Sequence, residues 1–451
     1  MSDINLFNTL SRKKEKFVPL NKDNITLYAC GPTVYNDPHV GNARSLVVFD
    51  LLFRVLQEKY GNKKVTYVRN ITDIDDKIIE ISKKTGKPIK QVTADVTKVF
   101  HGNCKDLNCL QPTKEPKATE HIKGMIAMTE SLIKKGHAYV TDAHVYFKVN
   151  SFKAYGQLSN KKITELQAGS RVEVSKLKKD PLDFVLWKPS TADEPKWQSP
   201  WGEGRPGWHL ECSVMSEKFL GPHFDIHGGG LDLIFPHHEN EIAQSCANSG
   251  NKNFANYWVH NGFLTMKNDK MSKSVGNIVT INDVLKSHNG QTIRLALLSA
   301  HYKQPLDWSS ELLEQSKKNL DKWYKFYSEK TSAKISDENL KILFDDLNTP
   351  ALISKIHEIY NRISGGDNDL VPELNSLIRL LGLFNQSKAE WEKSKQEKIS
   401  ISEKEINELI DERNKARKEK NYQLSDQIRD RLIEHGIVIE DVDSKTIWKY
   451  K

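Results

Sequence analysis

The fold is decided by the stretch ITLYACGPTVYNDPHVGNARSLVVFDLLFRVLQEKYGNKKVTYV, residues 25–68. The β-prone run at 25–29 predicts a short strand that ends at a Cys-Gly-Pro turn. Apolar residues recur at helical spacing from 43 to 60 and predict a helix that Gly61 ends. Residues 65–68 predict a second strand. Strand, helix and strand in this order form the unit of a parallel sheet with right-handed crossovers, so we expect an α/β fold.

Several further parts are predicted around this unit, since 451 residues are typical of about three domains. Residues 1–309 keep an α/β character, except for an irregular insertion with many prolines at about 110–200. The pattern at 310–385 predicts a helical bundle, and 386–404 reads as a polar, charged linker. Residues 405–451 combine two short helices with a β-prone end, which predicts a small C-terminal domain.

The composition limits the environment in which the protein works. The net charge of +8 fits a polyanionic partner and equally fits an ordinary lysine-rich surface. Five scattered cysteines form a poor disulfide framework and indicate a reducing compartment. No run of about 18 apolar residues occurs, and the start of the chain lacks the pattern of a signal peptide. We therefore expect a cytoplasmic protein with no membrane segment.

Candidate metal ligands occur in the segment Pro-His-His-Glu-Asn-Glu at 236–241. Proline favours the first turn of a helix, and in a helix that begins there His237 and Glu241 share a face. His238 would instead share its face with Ile242, an apolar residue. The spacing therefore predicts that His237, rather than its neighbour, is the ligand.

A zinc site needs further soft ligands beyond one imidazole and one carboxylate. Cys30, at the end of the first predicted strand, and Cys212 can supply two thiolates from distant loops. Two thiolates, one imidazole and one carboxylate form a reasonable zinc set. The alternative is a buried histidine with two buried thiols, and spacing alone favours that alternative.

A glycine-rich segment, His-Phe-Asp-Ile-His-Gly-Gly-Gly-Leu-Asp at 223–232, is a second candidate site. Three consecutive glycines permit close approach of a ligand to the backbone, and Asp232 could meet a ribose hydroxyl. A triple glycine alone is more often a simple loop. The surrounding window nevertheless indicates a polar site, because it contains five of the 15 histidines, at positions 209, 223, 227, 237 and 238.

Two more segments suggest phosphate chemistry. Residues 32–42, Pro-Thr-Val-Tyr-Asn-Asp-Pro-His-Val-Gly-Asn, place an imidazole and an amide at a helix N-terminus, where phosphate binds well. Residues 270–274, Lys-Met-Ser-Lys-Ser, place two lysines in a predicted mobile loop. The alternatives are a loop with a capping histidine and an exposed basic turn.

Taken together, these segments resemble the class I aminoacyl-tRNA synthetases. Residues 32–42 resemble the HIGH signature, with Asn42 where the signature ends in histidine, and residues 270–274 are a full KMSKS signature within a region of about 250–309. Four further segments resemble one member of the class, the cysteinyl-tRNA synthetases: Cys30–Tyr35, Asn70–Asp76, Pro206–Cys212 and Phe235–Glu241. The resemblance runs from Leu6 to Trp448 and implies a Rossmann-like catalytic domain with an insertion, a helical bundle and a small anticodon-binding domain.

The resemblance also implies ligands and roles. One Zn²⁺ that binds the substrate thiol would be held by Cys30, Cys212, His237 and Glu241. The amino acid would be contacted by Gly31, Thr72, Trp208 and His227. ATP, with Mg²⁺, would be bound by His39, Asn42, Gly229, Gly230, Asp232 and Lys273. Catalysis would depend on His39, Asn42, Lys270 and Lys273.

For the C-terminal third, the resemblance implies tRNA binding by residues 310–385 and anticodon reading by residues 405–451. The anticodon contacts would be Arg417, Tyr422, Asp426 and Asp441. The expected partners are L-cysteine, ATP and tRNA(Cys), and we expect a monomer. Two alternative functions are a cysteine ligase of the same superfamily that acts on an amino sugar and a catalytically silent tRNA-binding protein. The first would lack the C-terminal domain, and the second would not need residues 270–274.

Overall fold

The computed structural model describes residues 2–161, 177–266, 269–270, 279–329, 333–397, 403–434, 437–442 and 445–450. Contacts within the chain define two units. The first contains residues 1–285 and 290–385, and the second contains residues 286–289 and 386–451. The domain boundaries predicted above stay predictions.

The described part of the first unit contains a parallel sheet, two antiparallel sheets, a small mixed sheet and most of the helices. Its strands are β1 (Asn5–Asn8), β2 (Lys13–Lys16), β3 (Ile25–Ala29), β4 (Val65–Arg69), β5 (Ala138–Thr141), β6 (His144–Phe147), β7 (Phe184–Pro189), β8 (Gly204–Pro206), β9 (Phe224–Gly230), β10 (Ala255–Asn261), β11 (Leu264–Met266), β12 (Asp269–Lys270) and β13 (Leu306–Asp307). Its α-helices are α1 (Val40–Tyr60), α2 (Asp76–Thr85), α3 (Ile89–Asp106), α4 (Ile122–Lys134), α5 (Trp208–Leu220), α6 (Glu239–Ser249), α7 (Ile281–Leu285), α8 (Gly290–Leu298), α9 (Ser310–Trp323), α10 (Asp337–Phe344), α11 (Thr349–Ser364) and α12 (Val371–Leu380).

The central sheet confirms the predicted α/β fold. Its four strands are all parallel, in the order β10-β9-β3-β4. Leu27 lies opposite Tyr67 on one side and Ile226 on the other, and all three are buried. Parallel strands end at a common edge, where ligands of such sheets bind. Cys30 and Asn70 therefore follow their strands at the same edge.

Helix α1 connects β3 to β4, as predicted, but it begins at Val40 rather than at residue 43. The earlier start comes from a capping box. Nδ1 of His39 accepts a hydrogen bond from the backbone N–H of Asn42 at 3.3 Å, and Oδ1 of Asn42 accepts one from the backbone N–H of His39 at 3.0 Å. Two of the free N–H groups at the helix start are thus satisfied by the signature itself.

The insertion is more regular than its proline-rich sequence indicates. Strands β5, β6, β7 and β8 form an antiparallel sheet in chain order. Phe147 and Trp187 of this sheet belong to the same buried cluster as Val68 and Trp258 of the central sheet. The insertion is therefore packed on the catalytic core by apolar contacts, a long-range arrangement that local sequence patterns do not reveal.

The second unit is built from α13 (Lys388–Glu397), α14 (Glu403–Lys418), α15 (Tyr422–Glu434), β14 (Ile437–Val442) and β15 (Lys445–Tyr450). The strands pair as an antiparallel hairpin. Ile406, Leu432 and Ile437 are buried in its own small core. Helices α14 and α15, followed by β14 and β15, agree with the two helices and β-prone end predicted for residues 405–451. Among the described residues, no helix is both long and apolar enough to cross a membrane.

Candidate metal and nucleotide site

The four predicted metal ligands come together at the edge of the central sheet. Cys30 follows β3, Cys212 lies on α5, and Glu241 lies on α6. The Cys30 sulfur lies 3.5 Å from the Cys212 sulfur, 3.6 Å from Nε2 of His237 and 3.5 Å from Oε1 of Glu241. His237 and Glu241 approach to 3.0 Å. Donors from three distant parts of the chain therefore meet in one cluster.

This cluster fits the geometry of a tetrahedral zinc site. Ligand atoms about 2.0–2.3 Å from zinc at tetrahedral corners lie roughly 3.3–3.8 Å from one another. The four donor atoms all lie within 4.8 Å of each other; the three separations from the Cys30 sulfur fall at 3.5 to 3.6 Å, and the shorter His237–Glu241 separation, 3.0 Å, is that of a hydrogen-bonded pair. Two sulfurs, one imidazole and one carboxylate also match the donor types that zinc prefers.

Strong electrostatic coupling links the charges of the cluster. A hydrogen bond from Cys30 lowers the pKa of the Cys212 thiol to about 6, against the opposing effect of burial. Burial alone would lower the pKa of His237, but the negative charge of Glu241 raises it to about 10. Burial acts to raise the pKa of Glu241, and His227 and His237 outweigh this effect and lower it to about 2. A protonated His237 thus balances the Cys212 thiolate and the Glu241 carboxylate, and a divalent cation could take the place of that proton.

Neighbouring histidines orient two of these donors. Nδ1 of His237 lies 2.9 Å from Nδ1 of His209, which leaves Nε2 directed at the cluster. Nε2 of His227 lies 2.9 Å from Oε2 of Glu241, the oxygen that does not face Cys30. Outer contacts of this kind fix the orientation of metal ligands. His227, predicted as an amino-acid contact, is therefore in direct contact with a predicted metal ligand.

The structure also reveals a donor that the helical-face argument set aside. His238 is buried, and its Nε2 lies 3.3 Å from the Cys30 sulfur. Cys30, His227, His238 and Glu241 form a second donor set that shares two members with the first. Residues three apart also share a helix face, and Nε2 of His238 lies 4.0 Å from Oε1 of Glu241, so helical spacing does not separate the two histidines. The first set contains both sulfurs and is the better match to zinc.

A cavity of about 910 Å³ lies against the cluster. Its walls include predicted residues of three kinds: Cys30 as a metal ligand, Gly31 and Trp208 as amino-acid contacts, and His39, Asn42, Gly230 and Asp232 as ATP contacts. The structure thus brings predicted metal, amino-acid and ATP contacts around one space that can hold a nucleotide. Thr72 is nearly fully buried behind this wall.

Glycine is required at two of these positions by close packing. A Cβ at Gly31 would lie 1.6 Å from the backbone oxygen of Asn70, and a Cβ at Gly229 would lie 2.8 Å from both His238 and Leu233. The first contact joins the turn after β3 to the turn after β4. Part of the glycine-rich segment therefore serves to pack the backbone against side chains of the metal cluster.

A hydrogen-bonded chain that the sequence did not indicate lies behind Gly31. The backbone N–H of Gly31 donates to Oδ1 of Asn70 at 2.9 Å, and Nδ2 of Asn70 donates to the Thr72 hydroxyl at 3.1 Å. That hydroxyl donates to Oε2 of Glu211 at 2.9 Å. Burial raises the pKa of Glu211 well above its usual range. Asn70 and Glu211 both fall within the segments that carry the family resemblance, but their separation in the sequence does not predict that they belong to one hydrogen-bonded chain.

The remaining predicted residues are divided between the two units. Lys270 is in β12, next to β11, and Lys273 lies outside the described residues. In the second unit, Arg413 and Arg417 both form ion pairs with Asp441, at 3.1 and 2.5 Å. Tyr422 and Asp426 are exposed at the start of α15. Two of the predicted anticodon residues are therefore paired with each other, and two face solvent.

Comparisons with known proteins identify the family. Residues 16–318 match the family described as tRNA synthetases class I (C) catalytic domain. The fold resembles that of Mycobacterium tuberculosis methionyl-tRNA synthetase in complex with methionyl-adenylate, with a TM-score of 0.59 and 13% identity over 82% of this chain and 93% of that one. A leucyl enzyme from Agrobacterium radiobacter K84 has a TM-score of 0.54 at 10% identity, over 83% and 87% of the two chains. Fold and catalytic match together define a class I aminoacyl-tRNA synthetase.

Similarity over the full chain is more specific. Residues 403–448 match the cysteinyl-tRNA ligase anticodon binding domain. The cysteine–tRNA ligase of Pelagibacter ubique is 56% identical over 100% of this chain and 99% of its own length. The corresponding enzyme of Rickettsia bellii is 49% identical over 99% of both chains. The chain therefore belongs to the cysteine–tRNA ligase family.

Proposed function

We propose that the protein activates L-cysteine with ATP to cysteinyl-adenylate and pyrophosphate, and then transfers the cysteinyl group to the terminal adenosine of tRNA(Cys). The observation that carries this proposal is the position of Cys30. It belongs to the four-donor cluster and also lines the cavity that contains His39, Asn42 and Asp232. Thiol recognition and nucleotide binding would thus be adjacent in space, as adenylate formation from cysteine requires.

The donor cluster would select the amino acid. Cys30, Cys212, His237 and Glu241 would hold a zinc ion, which, when bound, supplies a Lewis-acid position that a thiolate occupies far better than an alcohol. Trp208 lines the cavity and stacks on His237, with ring centroids 4.1 Å apart, so it would form one wall beside the bound side chain. A site built for one strong bond rejects an analogue without it by about 10⁴-fold or more. Serine would therefore be excluded at activation.

The cavity would position the reacting groups. A carboxylate oxygen of cysteine attacks the α-phosphorus of ATP and pyrophosphate leaves, a reaction that depends on alignment and charge stabilisation. His39 and Asn42 at the start of α1 would contact the phosphates, with Mg²⁺ bound to them. The nucleoside part of ATP would be contacted by Gly229, Gly230 and Asp232. Lys270 and Lys273 would stabilise the charge that develops on the phosphates.

The second unit would read the anticodon. Tyr422 is 64% exposed, unusual for a large aromatic ring, and could stack on an unpaired base. Arg417 is half-exposed beside Asp441 and could contact phosphate or a base edge. Residues 310–385 would contact the body of the tRNA.

The direct test is ATP–pyrophosphate exchange with purified protein. We expect exchange that depends on L-cysteine, is negligible with L-serine, and is followed by cysteinylation of tRNA(Cys). Exchange that occurs equally with serine would contradict thiol selection. Transfer of cysteine to an amino sugar but not to tRNA would contradict the proposed acceptor.

A further inference from the structure

We infer that Arg44 is a positioning residue for ATP. It would hold residues 261–264, which form one wall of the larger cavity, the one of about 910 Å³, in a fixed position relative to the start of α1. This inference rests on the proposed function and adds to it a residue that acts through others, since Arg44 itself does not line the cavity.

Arg44 lies one turn after the start of α1 and is buried. Its guanidinium group donates to three backbone carbonyls. Nη1 donates to the oxygen of Phe263 at 2.6 Å, and Nη2 donates to those of Gln304 at 2.5 Å and His301 at 3.3 Å. Among the described residues, no carboxylate forms an ion pair with Arg44. The side chain therefore joins separate segments of backbone instead of neutralising a neighbouring charge.

The three carbonyls lie where the chain after β10 crosses the segment 301–306. The backbone N–H of Leu306 donates to the oxygen of Phe263 at 3.1 Å, the same oxygen that accepts from Arg44. A Cβ at Gly262 would lie 2.7 Å from two carbonyl oxygens of the crossing segment, so the backbones approach as closely as glycine permits. The carbonyls at this crossing therefore have little freedom to move apart, and Arg44 connects them to α1.

The wall that Arg44 holds lies beside the predicted nucleoside contacts. Residues 261–264 all line the larger cavity, and Asn261 lies opposite Gly230 in the pairing of β10 with β9. Oδ1 of Asn261 also accepts a hydrogen bond from the hydroxyl of Ser45, the residue after Arg44, at 2.8 Å. A shift of this wall away from α1 would therefore change the space left for the nucleoside.

The start of α1, where phosphates are predicted to bind, is itself fixed by backbone contacts. The N–H of Val40 donates to the oxygen of Val279 at 3.0 Å, and the N–H of Ile281 donates to the oxygen of Pro38 at 2.9 Å. The start of the helix therefore provides a rigid reference for the phosphates. Through the arginine, the nucleoside wall takes its position from the same reference, so both ends of ATP would be aligned by one helix start.

The inference is tested by Arg44→Lys, with KM measured separately for ATP and for cysteine in pyrophosphate exchange. Lysine keeps the charge but presents its donors from one atom, so it cannot reproduce the fork that reaches three carbonyls. We expect the KM for ATP to rise about 10-fold, the usual weight of one hydrogen bond from a charged group, and the KM for cysteine to change by less than about twofold. The two effects differ because none of the hydrogen bonds of Arg44 reaches an element that carries a predicted metal ligand.

The matched control is Arg294→Lys. Arg294 is equally buried, donates to the oxygens of Leu381 at 2.6 Å and Leu107 at 3.0 Å, and pairs with Asp50. Neither Arg294 nor these partners line the larger cavity. We expect both lysine variants to lower the Tm, because each loses hydrogen bonds of a buried arginine, but only Arg44→Lys should change the ratio of the two KM values.

Hydrogen–deuterium exchange of the unmodified protein provides a test that does not depend on the folding of a variant. ATP alone should slow exchange of the Leu306 amide, which donates to Phe263 behind the cavity wall, and cysteine alone should not. Equal increases in both KM values for Arg44→Lys, an unchanged KM for ATP, the same split for Arg294→Lys, or a Leu306 amide unaffected by ATP would each overturn the inference. Absence of cysteine-dependent pyrophosphate exchange in the unmodified protein would instead contradict the proposed function, so the two failures are distinguishable.

Discussion

Replacing Cys212 by serine should weaken cysteine binding far more than ATP binding. The Cys212 sulfur is buried and lies 3.5 Å from the Cys30 sulfur, and Cys212 does not line the larger cavity, which His39 and Asn42 line. A structural zinc site contributes about 10–16 kcal/mol through four ligands, so one thiolate carries roughly 3 kcal/mol, or about a 100-fold change in zinc affinity. A serine hydroxyl recovers little of this, because it is a poor zinc ligand at neutral pH.

The assay is pyrophosphate exchange with excess zinc, with KM measured separately for cysteine and ATP. We expect the KM for cysteine to rise by at least about 10-fold, as for damage to a metal's surroundings, while the KM for ATP changes by less than about twofold. Cys246→Ser is the matched control, because Cys246 is also a buried cysteine but belongs to neither donor set. Equal increases in both KM values, or the same effect from Cys246→Ser, would refute the assignment of Cys212 to thiol recognition.

Four further predictions concern the metal, the 270–274 segment, the C-terminal residues and the turn after β3. Purified protein should contain one zinc per chain by elemental analysis. The His237→Ala variant should lose most of this zinc and the His238→Ala variant should keep it. The reverse pattern would assign the metal to the second donor set. Lys273→Ala should slow adenylate formation by about 100-fold or more in single-turnover assays with little change in cysteine binding, as for a contact made in the transition state. Deletion of residues 405–451 should leave pyrophosphate exchange largely intact and reduce tRNA charging; a folded truncated protein that charges tRNA at the full rate would contradict a role of these residues in tRNA recognition. Asp441→Ala should relax discrimination at one anticodon base by about 1–3 kcal/mol, measured by charging of tRNA with altered anticodons. Gly31→Ala should abolish exchange or yield insoluble protein, because its Cβ would lie 1.6 Å from a backbone oxygen; retained activity would show that the turn can relax.

Local sequence patterns were sufficient to predict several helices and strands of the fold. The helix after the first strand was predicted from its apolar spacing, and two helices were predicted near the C-terminus. The start of α1 was missed by three residues because the capping box of His39 and Asn42 replaces apolar periodicity as the signal. The strands of the insertion were not predicted, since they are only three to six residues long and their pairing partners lie far away in sequence.

The sequence by itself determined which residue types are available for metal and phosphate chemistry, and the resemblance named four zinc ligands that the structure brings within 4.8 Å of one another. Only the tertiary structure decided which side chains share the site. It placed His238 beside Cys30, and it connected Asn70, Thr72 and Glu211 across separate elements. These contacts join residues up to 208 positions apart. Helix and strand periodicity describe neighbours along one element, whereas sites at a sheet edge are made where several elements end together, and that meeting is fixed only by packing.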